Sequence, residues 1–169
     1  GSPTINNEVI EIGVDFRHFN PDVDHGKARE NLGLSNEDKM VFSSRGFRDL
    51  YNLDVVMRAI PFVINSVKQA KFVFASHISG FMEKYGTLIN QLEIEDYVLF
   101  AGLLDHTETM PYFCKDADVV VSVPSSDSSP SSVYEAMACK TPVIISDLPW
   151  YRGKFEKDRD MIVVPARDV

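Results

Sequence analysis

The sequence contains few of the residues that build several common kinds of site. Its 169 residues include only two cysteines, Cys114 and Cys139, which are too few for a disulfide scaffold and lack the spacing of metal ligands. The four histidines are scattered and form no H-x-x-x-H pair. We therefore expect neither a disulfide framework nor a metal centre, and the low cysteine content favours a reducing, cytoplasmic setting.

Positive charge and long apolar runs are also scarce. The 17 basic and 25 acidic residues give a formal net charge of −8, which argues against a protein that binds nucleic acid by neutralising its phosphates. No apolar run reaches the roughly 18 residues that a membrane-spanning helix needs. Neither the G-x-G-x-x-G pattern nor the P-loop pattern of nucleotide sites occurs. At 44% hydrophobic and 25% charged residues, the composition is that of an ordinary globular domain.

The two ends of the chain have features typical of a domain cut from a longer protein. The sequence begins with Gly1 and Ser2 rather than Met, which is typical of the remnant left by tag removal. It ends soon after an apolar run, with no helix following it. We interpret residues 1–8 as a tag remnant and linker, and residues 9–169 as one domain.

Seven short apolar runs recur along the chain, and helical patterns lie between them. The runs cover residues 9–12, 40–43, 72–75, 98–101, 119–123, 143–145 and 161–164. Most are apolar on both faces, as in strands buried on both sides of a sheet. Apolar spacing predicts helices over 53–67 and near 88–94, and Pro61 should kink the first or lie near its start. The alternation predicts an α/β fold with a doubly wound parallel sheet.

A serine-rich segment, residues 125–132, lies between a predicted strand and a predicted helix that begins near Pro130 or Ser131 and ends at Cys139. Such a loop lies at the carboxyl edge of the sheet, where open α/β folds bind ligands. Serines favour helix caps, and a helix N-terminus offers free N–H groups to a phosphate. The alternative is simply a well-capped helix with no ligand.

Two carboxylates, Asp127 and Glu135, flank this predicted helix start. They would repel phosphate, so they are better suited to accept hydrogen bonds from vicinal hydroxyls, as an acidic residue does with ribose in dinucleotide folds. The alternative is a pair of surface acids that complement the helix dipole.

Two arginines, Arg45 and Arg48, flank Gly46 just after another predicted strand. Arginine binds phosphate oxygens in a bidentate manner, and glycine allows a ligand to approach the backbone closely. The alternative is a solvated surface arginine. His106 also follows a strand, but we interpret it as an ordinary loop histidine. We interpret both cysteines as core thiols.

Several segments resemble the carboxyl-terminal half of GT-B glycosyltransferases of the group 1, family four retaining type. The resemblance extends over residues 9–165. Its segments are GVDFRHFNP at 13–21, Ser44-Arg45, VLFAG at 98–102, ADVVV at 117–121 and EAMACKTPVI at 135–144. The resemblance implies a Rossmann-like donor-binding domain, with an amino-terminal acceptor-binding domain elsewhere in the same protein.

The resemblance also implies roles for single residues. Glu135 should hold the ribose of a nucleotide-diphosphate sugar, and Asp127 should face the transferred sugar. Arg45 should neutralise the leaving diphosphate, with Arg48 beside it. The segment after Asp127 should cradle the diphosphate, and backbone groups near Gly102 and Leu103 should contact the base. The residues assigned to the cradle are Ser128, Ser129, Ser131 and Ser132. No metal is expected.

The sequence departs from the family pattern in several places, three of which concern the predicted site. The pair Tyr51-Asn52 stands where the family has Lys-Gly, so a phosphate-binding lysine is missing. Asp127 replaces the first glutamate of a pattern with seven residues between two glutamates. Lys140 replaces a glycine after the predicted helix.

We therefore expect the donor-binding domain of a retaining glycosyltransferase whose acceptor is a glycan or a lipid-linked saccharide. Two alternatives stay open: a non-catalytic glycosyltransferase-like module with a decayed donor site, and half of a nucleotide-sugar epimerase. The isolated domain should be inactive, because both halves are needed to orient the reactants. We expect a cytoplasmic location, or one at a membrane surface through contacts of the missing half.

Overall fold

A computed structural model describes residues 12–167 and contains a six-stranded, wholly parallel sheet. The strands are β1 Lys39–Ser43, β2 Ala70–Phe74, β3 Val98–Phe100, β4 Val119–Ser122, β5 Val143–Ser146 and β6 Ile162–Val164. The order across the sheet is β3-β2-β1-β4-β5-β6. Successive strands therefore progress in one direction from β1 to β3 and in the opposite direction from β4 to β6.

Five α-helices cover the two faces of this sheet. They are α1 Lys27–Leu32, α2 Leu53–Ser66, α3 Ile78–Leu92, α4 Met110–Asp116 and α5 Ser131–Ala138. Helices α2 and α3 contribute to one apolar core, and α4 and α5 contribute to a second. Parallel strands connected by helices on both faces make a doubly wound α/β fold, as the sequence predicted.

Alternate side chains of β1 point to opposite faces of the sheet and pack in two separate cores. Met40 and Phe42 are fully buried in the core with α4 and α5, whereas Val41 packs toward the core with α2 and α3. Strand β1 pairs with β4 through the register Val41↔Val119. Because β1 and β4 are neighbours, the loops that follow their carboxyl ends lie side by side.

Six of the seven predicted strands are confirmed, within one or two residues at their ends. The first run, residues 9–12, lies outside the described residues apart from Ile12. Helix α3 begins at Ile78, ten residues before the apolar pattern indicated it. Pro61 is the ninth residue of α2, so it lies inside that helix and not near its start.

No helix in the described range 12–167 is long and apolar enough to cross a membrane.

Candidate functional site

The candidate site lies where the strand order reverses, between β1 and β4. The β1 loop, residues 44–52, leads to α2 on one face of the sheet, and the β4 loop, residues 123–130, leads to α5 on the other. Because the two connections leave in opposite directions, a crevice opens at the carboxyl edge between them. The sequence-predicted residues Arg45, Arg48 and Asp127 all lie on these two loops.

Asn52 fastens the two loops together. Its side chain is buried, donates from Nδ2 to the Val123 carbonyl at 2.8 Å, and accepts a hydrogen bond from Ser125 Oγ at 3.0 Å. The Ser125 amide in turn donates to the Leu50 carbonyl at 2.8 Å. Asn52 has a φ of +50°, a left-handed conformation that asparagine tolerates better than most residues. Glycine, the residue of the family pattern at this position, would also suit this conformation.

Arg45 and Asp127 form an ion pair across the crevice. Arg45 Nη2 lies 2.7 Å from Asp127 Oδ2, and the two side chains are only 14% and 16% exposed. Arg45 Nε also donates to Ser122 Oγ at 2.8 Å, and the guanidinium carbon lies 5.2 Å from the centre of the Tyr51 ring. The guanidinium group is therefore held on three sides. Asp127 Oδ1 accepts a hydrogen bond from the Ser128 amide at 2.8 Å.

The other two residues of the β1 loop that the sequence singled out are open to solvent. Arg48 is exposed and makes no ion pair with any residue between 12 and 167. A Cβ added at Gly46 would meet nothing within 4 Å. Space for a ligand therefore lies directly over the backbone beside Arg45.

The N-terminus of α5 carries no side-chain cap, so the prediction that serines cap it is wrong. Pro130 is the N-cap residue, and it has no side-chain acceptor to offer. The hydroxyls of Ser129 and Ser132 are buried, and neither has a hydrogen-bond partner in the described part of the chain. Buried hydroxyls are normally paired, so these two keep unused hydrogen-bonding capacity near the uncapped helix start.

Glu135 lies one turn into α5, and its carboxylate contacts a residue that the sequence analysis did not assign to the site. Its side chain is 8% exposed, and its Oε1 lies 2.8 Å from Nε2 of His106, whose side chain is 65% exposed. The His106 ring also packs on Phe19, with 5.2 Å between ring centres. His106 lies on the β3 loop, residues 101–109. Our interpretation of it as an ordinary loop histidine agrees with its exposed position but did not anticipate its contact with Glu135.

The β3 loop also carries Gly102 and Leu103, which the resemblance assigned to the base. Gly102 has a φ of +74°, which turns the chain out of β3 at a conformation that favours glycine. Leu103 is exposed. The structure thus places both residues on the same loop as His106.

Both cysteines are buried, as the sequence predicted, and they line the interior next to α5. Burial raises the pKa of the Cys139 thiol to about 11, and the Glu135 carboxylate acts in the same direction. Burial also raises the pKa of Cys114 well above the ordinary value for a thiol. Both thiols are therefore protonated at neutral pH and poor nucleophiles.

The site thus has two parts with different chemistry. The Arg45 side combines a guanidinium group, an uncapped helix start and free space, all suited to an anion. The Glu135 side presents a buried carboxylate, suited to hydroxyl groups. Fold and site together define a Rossmann-like domain with its candidate site at the strand-order reversal.

Comparison with known proteins identifies the family. The family described as "Glycosyl transferases group 1" matches residues 24–169. The chain belongs to this family. It is 30% identical over 142 residues to D-inositol 3-phosphate glycosyltransferase of Mycobacterium marinum, covering 81% of this chain and 29% of the relative. It is 26% identical over 150 residues to alpha-monoglucosyldiacylglycerol synthase of Streptococcus pneumoniae, covering 86% and 34%.

Solved structures share the fold. Sucrose-phosphate synthase from Thermosynechococcus elongatus superposes with a TM-score of 0.77 at 22% identity, over 92% of this chain and 39% of that one. HepE of Anabaena, solved in complex with UDP and glucose, gives a TM-score of 0.77 at 17% identity, over 95% and 44%. The chain spans about a third of the length of the curated relatives it matches.

Sequence reasoning missed three residues of the site: Tyr51, Asn52 as a fastening residue, and His106. Tyr51 and Asn52 were noticed only as replacements for Lys-Gly. A signal for His106 was present, because it follows a strand at the same sheet edge as Arg45. Its pairing with Glu135 joins residues 29 positions apart, which no local pattern reveals.

Proposed function

We propose that this domain binds the nucleotide-diphosphate sugar donor of a retaining glycosyltransferase. The observation that carries the proposal is the uncapped start of α5, which follows the loop that contacts Arg45, together with the open space at Gly46. Membership of the group 1 glycosyl transferases supports the proposal. HepE, whose fold is similar, is a protein solved with UDP-glucose.

The diphosphate would bind between Arg45 and the α5 N-terminus. Arg45 supplies fixed positive charge, because Ser122 and Tyr51 hold its guanidinium group in place. Its Nη1 makes no hydrogen bond to another residue of the described chain, so that nitrogen is available to a phosphate oxygen. The backbone amides at the start of α5 and the helix dipole add attraction for an anion. Ser128 and Ser131 belong to the same cradle, and exposed Arg48 would contribute long-range attraction.

The nucleoside would bind toward the β3 loop. The Glu135 carboxylate accepts hydrogen bonds, so it suits the two vicinal hydroxyls of ribose. Backbone groups near Gly102 and Leu103 lie on the loop that carries His106 and would contact the base.

Catalysis would depend on the stabilisation of the leaving group. As the glycosidic bond to phosphate breaks, negative charge grows on the diphosphate, and Arg45 together with the α5 N-terminus would stabilise it. These groups supply the positive charge, so we propose that no metal is required. Asp127, by its resemblance to the family's first glutamate, would face the transferred sugar while its Oδ2 holds Arg45 in place. The sugar would be transferred with retention of its anomeric configuration.

A second candidate, a non-catalytic module with a decayed donor site, is favoured by one observation. Both oxygens of Asp127 and two nitrogens of Arg45 are already engaged within the protein. A donor would have to compete with these contacts or add to them. Loss of both nucleotide binding and transfer activity in a whole protein that contains this domain would support this second candidate.

Nucleotide binding tests the proposal directly. We expect UDP, GDP or ADP at millimolar concentration to raise the melting temperature of the chain, because a ligand at 100 times its Kd adds about 2.7 kcal/mol of stability. EDTA should not change the shift. Glu135→Ala should reduce it, whereas Glu83→Ala, which truncates an exposed residue of α3, should not. Absence of any shift with all three nucleotides would refute donor binding.

Transfer needs a whole protein that contains this domain. Donor hydrolysis and transfer should both be measured, and NMR of the product should show the anomeric configuration of the donor. Asp127→Asn should strongly reduce transfer while nucleotide binding persists. Full transfer by that variant would remove Asp127 from the catalytic residues.

A further inference from the structure

We propose that His106 is a positioning residue that holds the Glu135 carboxylate in the orientation needed to bind the ribose hydroxyls of the nucleotide. The inference rests on the proposed function and adds a residue to its ribose site. His106 lies on the β3 loop and Glu135 on α5, so the hydrogen bond between them joins two walls of the crevice.

Glu135 is buried and depends on His106 for its hydrogen bond. Its side chain is 8% exposed, and its single hydrogen-bond partner in the described chain is His106. A buried carboxylate is strongly destabilised without hydrogen bonds. The neighbouring side chains of Cys114 and Cys139 are protonated thiols that donate only weakly. His106 is therefore the group that compensates the buried carboxylate and directs Oε1.

His106 is itself held in place by its neighbours. Its ring packs on the buried Phe19. The loop that carries it is closed by Asp105, whose Oδ1 accepts hydrogen bonds from the amides of Thr107 at 2.9 Å and Glu108 at 2.8 Å. A rigid loop and an aromatic contact leave the ring little freedom. The direction of Nε2 is consequently set before any ligand binds.

The Glu135 carboxylate can still accept hydrogen bonds from a ligand. An ionised carboxylate has about four acceptor positions, and His106 occupies one of them. The remaining positions can accept the two hydroxyls of a ribose, in an orientation fixed by the His106 bond. Loss of that bond would let the carboxylate rotate, so that binding of ribose hydroxyls would weaken while the phosphate contacts stay intact.

A purely structural role for His106 makes a different prediction. It would weaken a nucleoside diphosphate and its 2′-deoxy form equally, whatever its effect on the melting temperature. The informative measurement is therefore the ratio of dissociation constants for a nucleoside diphosphate and its 2′-deoxy form. The two ligands share base and phosphates, so the ratio isolates the hydroxyl.

The experiment uses isothermal titration of the chain with UDP, GDP and ADP and with their 2′-deoxy forms. For the wild type and the base that binds best, we expect the ribose form to bind about tenfold more tightly, the scale of a hydrogen bond to a charged group. His106→Ala should lower this ratio to about twofold. His106→Gln should keep most of the ratio, because its amide nitrogen can take the place of Nε2.

Two controls test whether a change in the ratio comes from the hydrogen bond between His106 and Glu135. Glu108→Ala truncates an exposed side chain of the same loop and should leave the ratio unchanged. In a Glu135→Gln background, His106→Ala should cause no further change in the ratio, since a residue that acts through Glu135 has nothing left to position.

Each contrary outcome has a distinct meaning. If the wild type binds no nucleotide, both the proposed function and this inference fail. If it binds but the ratio is the same in wild type and His106→Ala, donor binding stands and the positioning role is refuted. A further loss of the ratio in the Glu135→Gln background would refute it as well.

Discussion

The two sides of the crevice hold their charged groups in different ways. On the Arg45 side, both partners of the ion pair are largely shielded, and the guanidinium group has a hydroxyl, a carboxylate and an aromatic ring around it. On the Glu135 side, a buried carboxylate depends on one exposed histidine. The same sheet edge therefore carries one group fixed by several contacts and one fixed by a single contact.

The difference follows from topology. Arg45 and Asp127 lie on loops from neighbouring central strands, β1 and β4, which the sheet places side by side. Glu135 is on a helix, and it meets a loop from the edge strand β3, two strands away from β1. Central loops can support each other, whereas the β3 loop meets the Glu135 carboxylate through the single contact of His106. We expect substitutions on the Arg45 side to affect the fold, and those on the Glu135 side to affect ligand selection.

The largest effect on stability should come from Arg45→Ala. It leaves Asp127 largely buried without its partner, and we expect a loss of about 2 kcal/mol in the free energy of unfolding, below the range for fully buried pairs. Urea unfolding followed by circular dichroism measures it. Arg48→Ala on the same loop should stay within about 0.5 kcal/mol of the wild type. Equal effects of the two variants would contradict the contrast between the sides.

Asn52→Gly should have the next largest effect. Glycine suits the φ of +50°, but it removes both side-chain hydrogen bonds that join the β1 and β4 loops. We expect a net loss of about 1 kcal/mol in the free energy of unfolding. Ser125→Ala, which removes one of those bonds, should cost less. A more stable Asn52→Gly protein would show that the backbone conformation outweighs the fastening contacts.

Lys140→Gly should have the smallest effect and the opposite sign. Lys140 follows α5 with a φ of +60°, where a side chain is strained and where the family pattern has glycine. Replacement should stabilise the protein by about 0.5 kcal/mol, because the freedom of glycine in the unfolded chain offsets part of the relieved strain. Glu93→Gly, at the end of α3 with a φ of +54°, is a matched case and should gain a similar amount. Destabilisation by both variants would show that glycine freedom in the unfolded chain dominates.

Much of the fold could be predicted from the sequence, because buried parallel strands are apolar on both faces and short. The positions of Arg45 and Glu135 could also be predicted, since strand ends and helix starts mark the carboxyl edge. The bond between His106 and Glu135 and the ring of Tyr51 beside Arg45 could not, because they depend on the packing of distant segments. The prediction of serine caps was wrong for a local reason. Pro130 is the N-cap residue of α5, and no serine side chain caps that helix.

The buried side chain of Asn52 has a consequence for the rate of ligand binding. Because it ties the Val123 carbonyl and Ser125 to the β1 loop, the walls around Arg45 move as one body. A ligand that arrives there meets a surface that is already formed. Stopped-flow traces for a nucleoside diphosphate should then show one phase whose rate rises linearly with concentration.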